Sequence, residues 1–126
     1  MAAKRRILLA EDNEDLQRAI ARVVGAHDCE LIQTTSGAAV HHLAVEKQPD
    51  LVILDFGFPD ADGRDVLAQL KADPRTTHIP VIVWSGRVEG ESDRRVALEL
   101  GAEDFAEKID AQALLRKVER ILLRFE

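Results

Sequence analysis

The feature that most constrains the fold is an alternation of short apolar runs with longer amphipathic segments, which occurs five times along the chain. The five runs span residues 7–10, 30–34, 51–54, 81–84 and 104–106. The third and fourth are continuously apolar and rich in β-branched side chains, which is typical of central strands covered on both faces. Strands that alternate with helices of ten or more residues need crossover connections, and these connections produce a parallel sheet. The pattern therefore predicts one doubly wound α/β domain.

The segments between the runs have the periodicity of helices. Apolar side chains recur three or four positions apart in the first and last of these segments, at Leu16, Ile20, Val23 and Val24 and at Leu114, Val118, Ile121 and Leu122. The pair Ser36-Gly37 is typical of a helix start and predicts where the second helix begins, and Pro49 predicts its end. Gly101 lies where a glycine would end the fourth helix.

Composition narrows the class of protein. A chain of 126 residues with 46% hydrophobic residues can form one domain with its own core. Cys29 is the single cysteine, so no disulfide can form within the chain, and we expect a reduced, cytoplasmic setting. The apolar runs are too short to cross a membrane, and no secretory signal is evident. The net charge is −6 and the basic residues are dispersed, which argues against direct nucleic-acid binding.

Polar residues follow the apolar runs where a functional site is expected. Functional groups in open α/β sheets gather beyond the carboxyl ends of the strands. Glu11 and Asp12 follow the first run, Asp55 follows the third, and Ser85 and Lys108 follow the fourth and fifth. If the first and third strands are neighbours, three carboxylates converge, and their repulsion favours a bound cation. An all-oxygen site suits Mg²⁺ rather than zinc, and a lysine and a hydroxyl would suit a phosphoryl group.

Each of these residues also has a purely structural explanation. Acidic residues and Asn13 just before a helix can cap its free N–H groups. Ser85 could be a strand-end hydroxyl, and Lys108 a solvated loop lysine. Asp55 follows four apolar residues and should be partly buried, where a carboxylate without a partner is costly. The joint placement of these residues at strand ends favours a functional site.

The sequence resembles the receiver domain of bacterial two-component response regulators, of the chemotaxis-regulator-like, single-domain type, over essentially its whole length. The matching segments, in order along the chain, are ILLAEDN at 7–13, PDLVILD at 49–55, PDADG at 59–63, IPVIVWSG at 79–86 and GAEDFAEK at 101–108. Five fragments in this order and spacing are highly specific. The resemblance implies one receiver domain over residues 1–126. It also implies a flavodoxin-like (βα)5 fold with five parallel strands in the order 2-1-3-4-5.

The resemblance further implies a phosphorylation-activated signalling switch. Asp55 would accept a phosphoryl group from a histidine kinase or a histidine phosphotransfer protein. Mg²⁺ would be the cofactor, and its ligands would be Glu11, Asp12, Asp55 and the backbone carbonyl of Gly57. The chemistry is limited to self-phosphorylation and autodephosphorylation, so we do not expect an enzyme that acts on a separate substrate.

The remaining implied roles concern the response to phosphorylation. Lys108 and Ser85 would bind the phosphoryl oxygens, which requires positioning and charge neutralisation. Phe105 would be the switch aromatic, although a Phe in a short strand is also explained by core packing. Receivers usually have proline after this lysine; here it is Ile109, for which we expect a trans peptide bond. The output would be a downstream protein target, an output domain or a homodimer formed through helix 4, strand 5 and helix 5, with no membrane partner.

Three other functions stay open at this point. A degenerate receiver would act as a phosphorylation-independent interaction scaffold. An aspartate-nucleophile phosphatase usually has a second Asp two residues after the nucleophile, where this chain has Gly57. A nucleotide-binding domain is disfavoured because no glycine-rich fingerprint follows the first strand. The predicted fifth helix runs to the end of the sequence at Glu126, which fits both a stand-alone regulator and a receiver excised from a longer protein.

Overall fold

A computed structural model describes residues 4–85, 90–107 and 111–124. Strands and helices alternate along these ranges, as the sequence predicts. The strands are β1 (Arg6–Ala10), β2 (Glu30–Thr34), β3 (Leu51–Asp55), β4 (Val81–Ser85) and β5 (Asp104–Glu107). The α-helices are α1 (Glu14–Ala26), α2 (Val40–Lys47), α3 (Gly63–Ala72), α4 (Gly90–Glu99) and α5 (Ala111–Arg124).

The strands form one parallel sheet in the order β2-β1-β3-β4-β5, which confirms the predicted flavodoxin-like topology. β1 and β3 are neighbours, with Ala10 paired to Leu54. On the other side of β3, Asp55 is paired to Trp84 of β4. The carboxyl ends of β1, β3 and β4 therefore lie at the same edge of the sheet, where the sequence predicts the site.

Helices cover the sheet on both faces, and each face has its own apolar core. One core contains Leu8, Val52 and Val83 from the strands, together with residues of α2, α3 and α4. The other contains alternate strand residues such as Ile7 and Ile53, together with residues of α1 and α5. Every residue of β3 and β4 is buried, as their continuous apolar sequence predicts.

The second helix begins differently from the prediction. A short 3-10 helix, Gly37–Ala39, follows Ser36, and α2 starts only at Val40. Ser36 makes no side-chain capping bond, because its hydroxyl donates instead to the carboxylate of Asp60 at 2.6 Å.

The predicted helix ends are found close to where the sequence places them. α2 ends at Lys47, and its C-cap Gln48 adopts a left-handed conformation with φ 47° immediately before Pro49. Gly101 has φ 103° two residues after α4, a conformation that glycine tolerates without steric cost. Among the described helices, none is long and apolar enough to cross a membrane.

Candidate functional site

Three carboxylates meet at the carboxyl edge of the two central strands. Glu11 and Asp12 follow β1 directly, and Asp55 is the last residue of β3. Because β1 and β3 are adjacent, one oxygen from each carboxylate lies within 4.8 Å of the others. Glu11 and Asp55 are buried, at 0% and 3% exposure, whereas Asp12 is exposed. The structure therefore brings together the three carboxylates that the sequence singles out.

Backbone N–H groups orient the two buried carboxylates. The N–H of Asn13 donates to Oε1 of Glu11 at 3.1 Å, and the N–H of Gly57 donates to Oδ1 of Asp55 at 2.9 Å. The Asn13 side chain in turn caps α1, accepting from Asp15 N–H at 2.9 Å and Leu16 N–H at 3.2 Å. The predicted capping of α1 is thus made by the side chain of Asn13.

The donor set suits a hard divalent cation. Three carboxylates within this distance repel one another, and a shared cation removes that repulsion. Glu11, Asp12 and Asp55 could hold such a cation with oxygen ligands alone, and this cluster includes neither His nor Cys among the described residues. Oxygen-only ligation is the preference of Mg²⁺, whereas protein zinc sites are usually built with nitrogen or sulfur.

Gly57 lies at the border of the pocket, in the loop between β3 and α3. It is exposed, and a Cβ added to it would lie 3.7 Å from Oδ1 of Asp55. An isolated antiparallel bridge joins Gly57 to Asp62, which is the N-cap of α3 and accepts from Arg64 N–H at 2.9 Å. The bridge therefore fixes the beginning of this loop, at Gly57, against its end, at Asp62. The carbonyl of Gly57, which is a predicted metal ligand, is part of this loop.

Gly63 lets α3 pack against the end of β3. A Cβ at this position would lie 2.5 Å from Cα of Phe56 and 2.7 Å from the carbonyl oxygen of Asp55. The N–H of Gly63 donates to the carbonyl of Phe56 at 3.3 Å. The sequence identifies Gly63 only as the last letter of the PDADG segment; the structure shows that the backbone approach beside the acidic pocket needs a residue without a side chain.

Asp60 ties this loop to the connection between β2 and α2. Its carboxylate accepts from the hydroxyl of Ser36 at 2.6 Å and from the N–H groups of Gly37 at 3.0 Å and Ala38 at 3.4 Å. These bonds stabilise the charged form, the one from Ser36 most, and hold the pKa of Asp60 below its usual value. In the sequence Asp60 is recognisable only as part of the PDADG segment, and its contacts with Ser36, Gly37 and Ala38 were not predicted.

Ser85 points toward helix α4. It is 2% exposed, and its hydroxyl donates to Oδ2 of Asp93 at 3.0 Å. Asp93 is itself 2% exposed, and its Oδ1 lies 3.7 Å from Nη2 of Arg64. Asp93 was not predicted as a site residue. The signal in the sequence is its position four residues before the buried Ala97, on the inner stripe of α4.

The other predicted response residues are only partly described. Phe105 is 1% exposed and lies in the same core as Val83 and Ala97, so its ring faces inward. Lys108 and Ile109 lie outside the described residues, so the phosphoryl contact of Lys108 and the trans peptide bond at Ile109 stay predictions.

A family model, a related sequence and two solved structures that match this chain all come from response regulators or their receiver domains. The sequence model of the response regulator receiver domain family matches residues 7–119 of this chain. The response regulator PleD of Caulobacter vibrioides is 37% identical over 122 residues, which cover 96% of this chain and 26% of PleD. The chain thus spans about a quarter of the length of that relative.

Solved structures show the same fold. The Mn²⁺-bound form of response regulator Rcp1 has a TM-score of 0.78 at 30% identity, with 91% of each chain covered. The BeF3-activated N-terminal receiver domain of Klebsiella pneumoniae RstA has a TM-score of 0.81 at 26% identity, with 95% of this chain and 99% of that domain covered.

Proposed function

The chain belongs to the response regulator receiver domain family, and on that premise we propose that it is a phosphorylation-activated switch of a two-component phosphorelay. Asp55 accepts the phosphoryl group, and Mg²⁺ is the cofactor. The observation that supports this most directly is the cluster of Glu11, Asp12 and Asp55, whose oxygens lie within 4.8 Å at the end of the central strands.

The proposed reaction is transfer from a phosphohistidine of a histidine kinase or phosphotransfer protein. An oxygen of the Asp55 carboxylate forms a bond to phosphorus while the bond from phosphorus to the imidazole nitrogen breaks, and the neutral histidine leaves after taking up a proton. Gly57 N–H holds the Asp55 carboxylate in place for this attack. The three carboxylates and the Gly57 carbonyl would hold Mg²⁺, which would supply positive charge between two anionic reactants. Lys108 and Ser85 bind phosphoryl oxygens in the product.

Two structural relatives support the ligands in this proposal. Rcp1 has been solved with bound Mn²⁺, and the RstA receiver in its BeF3-activated form. We infer that the corresponding pocket of this chain binds a divalent cation and a phosphoryl mimic. The oxygen-only donor set at Glu11, Asp12 and Asp55 agrees with that inference.

The decisive experiment is intact-mass spectrometry after incubation with acetyl phosphate, with and without Mg²⁺. The wild-type protein should gain one phosphoryl group only in the presence of Mg²⁺, and Asp55→Asn should gain none. Asp65→Asn is a matched control, since Asp65 is exposed on α3 and lies outside the carboxylate cluster; it should behave as wild type. If no adduct forms under any condition, the chain is instead a scaffold receiver that binds partners without phosphorylation.

We further propose that the chain catalyses no turnover of a separate substrate. Gly57 occupies the position at which aspartate-nucleophile phosphatases usually have a second Asp, so a general acid is lacking there. Hydrolysis of the Asp55 phosphoryl group would then be the only further reaction. Steady turnover of a phosphomonoester such as p-nitrophenyl phosphate would contradict this assignment.

The face formed by α4, β5 and α5 is the surface we propose for output. Arg94, Glu107 and Lys117 are among the residues that line a groove on it. Within the same face, Lys117 pairs with Asp104 at 2.8 Å. Charges of both signs suit a second copy of the chain, a downstream protein or an output domain. We propose that this interaction takes place in the cytoplasm. Sedimentation with and without beryllofluoride, on wild type and Lys117→Glu, tests whether phosphorylation and this face control self-association.

A further inference from the structure

Helix α4 contains a buried carboxylate that the proposed reaction does not use. Asp93 is 2% exposed and lies on the inner stripe of α4, one turn before the buried Ala97. A charged side chain at such a position is costly unless it is paired and hydrogen-bonded. Asp93 is held from two other elements, by the Ser85 hydroxyl of β4 at 3.0 Å and by Arg64 of α3 at 3.7 Å.

The bond from Ser85 to Asp93 competes with the expected contact to the phosphoryl group. A serine hydroxyl has one proton to donate. In this structure that proton is directed at Oδ2 of Asp93. A phosphoryl oxygen on Asp55 can therefore receive the Ser85 hydrogen bond only if Asp93 gives it up.

Arg64 is placed to take over the Asp93 carboxylate. Its Nη2 lies 3.7 Å from Oδ1 of Asp93, which is longer than a hydrogen bond and leaves room for a closer approach. Its Nε is buried and has no hydrogen-bond partner in the described part of the chain. Arg64 also lies in the first turn of α3, two residues after the N-cap Asp62, which ends the loop that contains Gly57. A tighter pair between Arg64 and Asp93 would thus link the acidic-pocket loop to α4.

We propose that Asp93 is a positioning residue that holds the Ser85 hydroxyl on the α4 side until the phosphoryl group displaces it, after which Arg64 pairs with Asp93. This rests on the proposed function, since it assumes a phosphoryl group on Asp55. Asp93 then opposes phosphoryl binding and Arg64 favours it, although the two side chains form one ion pair. Simple loss of structure would not separate the two substitutions in this way.

The test is the affinity for beryllofluoride in the presence of saturating Mg²⁺, measured by fluorine NMR. Asp93→Ala should bind beryllofluoride several-fold more tightly than wild type. Asp93→Asn should show a smaller gain in affinity, because the neutral amide oxygen of Asn still accepts a hydrogen bond from Ser85, but a weaker one than a carboxylate accepts. Arg64→Gln should bind several-fold more weakly, since the cation that would take over Asp93 from Ser85 is then absent. The affinity for Mg²⁺ itself should not change in any of the three variants.

A double-mutant cycle shows whether Asp93 acts through Ser85. In a Ser85→Ala background, Asp93→Ala should leave beryllofluoride affinity unchanged, because the hydroxyl for which Asp93 competes is gone. An equal gain in both backgrounds would overturn the proposal, as would wild-type or weaker affinity in both Asp93 variants. If Asp93→Ala does not fold, Asp93→Asn in the two backgrounds decides by the same criteria.

The same experiment separates this proposal from the proposed function. If the wild-type protein takes up no beryllofluoride with Mg²⁺, the phosphorylation switch is wrong and the role of Asp93 falls with it. If the wild type binds but the Asp93 variants gain nothing, only the positioning role is wrong.

Discussion

At the scale of single residues, the acidic pocket is where this domain gives up stability for function. Glu11 and Asp55 are buried beside one another, with Asp12 close by. Backbone N–H groups of Asn13 and Gly57 offset part of the cost. Like charges this close repel one another, and under the proposed function a bound cation would relieve that repulsion in the folded state.

Mg²⁺ should therefore stabilise the folded chain, and Asp12 should control how much. At a hundredfold excess over its dissociation constant, the metal should raise the free energy of unfolding by about 2.7 kcal/mol. Asp12→Asn should be more stable than wild type without metal, because one like charge is removed, and should lose most of the gain from Mg²⁺. Urea unfolding with and without Mg²⁺ measures both effects. A full Mg²⁺ gain in Asp12→Asn would exclude Asp12 as a ligand; Asp65→Asn is again the control.

Asp60 should make stability depend on pH through its bond from Ser36. Its pKa is lowered in the folded state, chiefly by the Ser36 hydroxyl, so its contribution is present above the unfolded pKa of about 3.9. That contribution is lost as the pH falls through the lower folded pKa. Ser36→Ala should raise the pKa of Asp60 toward the usual value and reduce the stability lost on acidification.

The pH titration of the Asp60 carboxyl carbon by NMR measures this change. Ser92→Ala is a suitable control, because Ser92 is exposed on α4 and belongs to a different element. An Asp60 pKa that is the same in Ser36→Ala and in wild type would contradict the assigned cause.

At the scale of elements, the site depends on how closely α3 can begin after β3. The chain leaves β3 at Asp55, makes a loop, and returns at Gly63 to within contact of Phe56. The N-cap Asp62 and the bridge from Asp62 to Gly57 define that return. Small changes in this turn should therefore move the Asp55 carboxylate and the Gly57 N–H together.

Gly63→Ala should disrupt both the fold and the site. The added methyl would lie 2.5 Å from Cα of Phe56, where only backbone movement can relieve the clash. Destabilisation of about 1–3 kcal/mol is expected for such overpacking, together with weaker Mg²⁺ binding. Gly25→Ala is the matched control: nothing lies within 4 Å of an added Cβ in α1, so it should stabilise by about 0.5–1 kcal/mol. Thermal melts and Mg²⁺ titrations of both variants test this contrast; unchanged Mg²⁺ affinity in a folded Gly63→Ala would contradict the coupling.

At the scale of the whole molecule, the central strands of the sheet are shielded from solvent, and the edge strand β2 is less shielded. β3 and β4 are buried throughout, whereas β2 is an edge strand whose residues are half-buried or exposed. The acidic pocket is attached to the central strands, and the proposed output face includes the edge strand β5. Under the proposed function, a signal from Asp55 to that face would pass through side chains such as Ser85 and Asp93 rather than through deformation of the sheet.

Rates of amide hydrogen exchange should differ between the central strands and the edge strand β2. Amides of residues 52–54 should exchange only by global unfolding, because both neighbouring strands and both cores cover them. Amides of β2 should exchange faster, through local opening at the edge. Mass-resolved or NMR-detected exchange under native conditions measures both, and equal protection of β2 and β3 would contradict the prediction.

Much of the architecture could be predicted from the sequence because it depends on local spacing. The apolar runs and helical stripes placed five strands, and polar residues at their ends indicated Glu11, Asp12 and Asp55. The start of α2 was less well predicted, since Ser36 has a local capping preference but bonds to Asp60, 24 residues away.

The sequence by itself therefore determined the strands, the helices and which carboxylates follow β1 and β3, because residues close in the chain settle these features. The five motif segments in order also determined the strand order through family resemblance. Only the tertiary structure decided which side chains from different elements meet: Ser36 with Asp60, and Ser85 with Asp93 and Arg64. Those contacts depend on the packing of helices against a twisted sheet, and no periodicity along the chain records that packing.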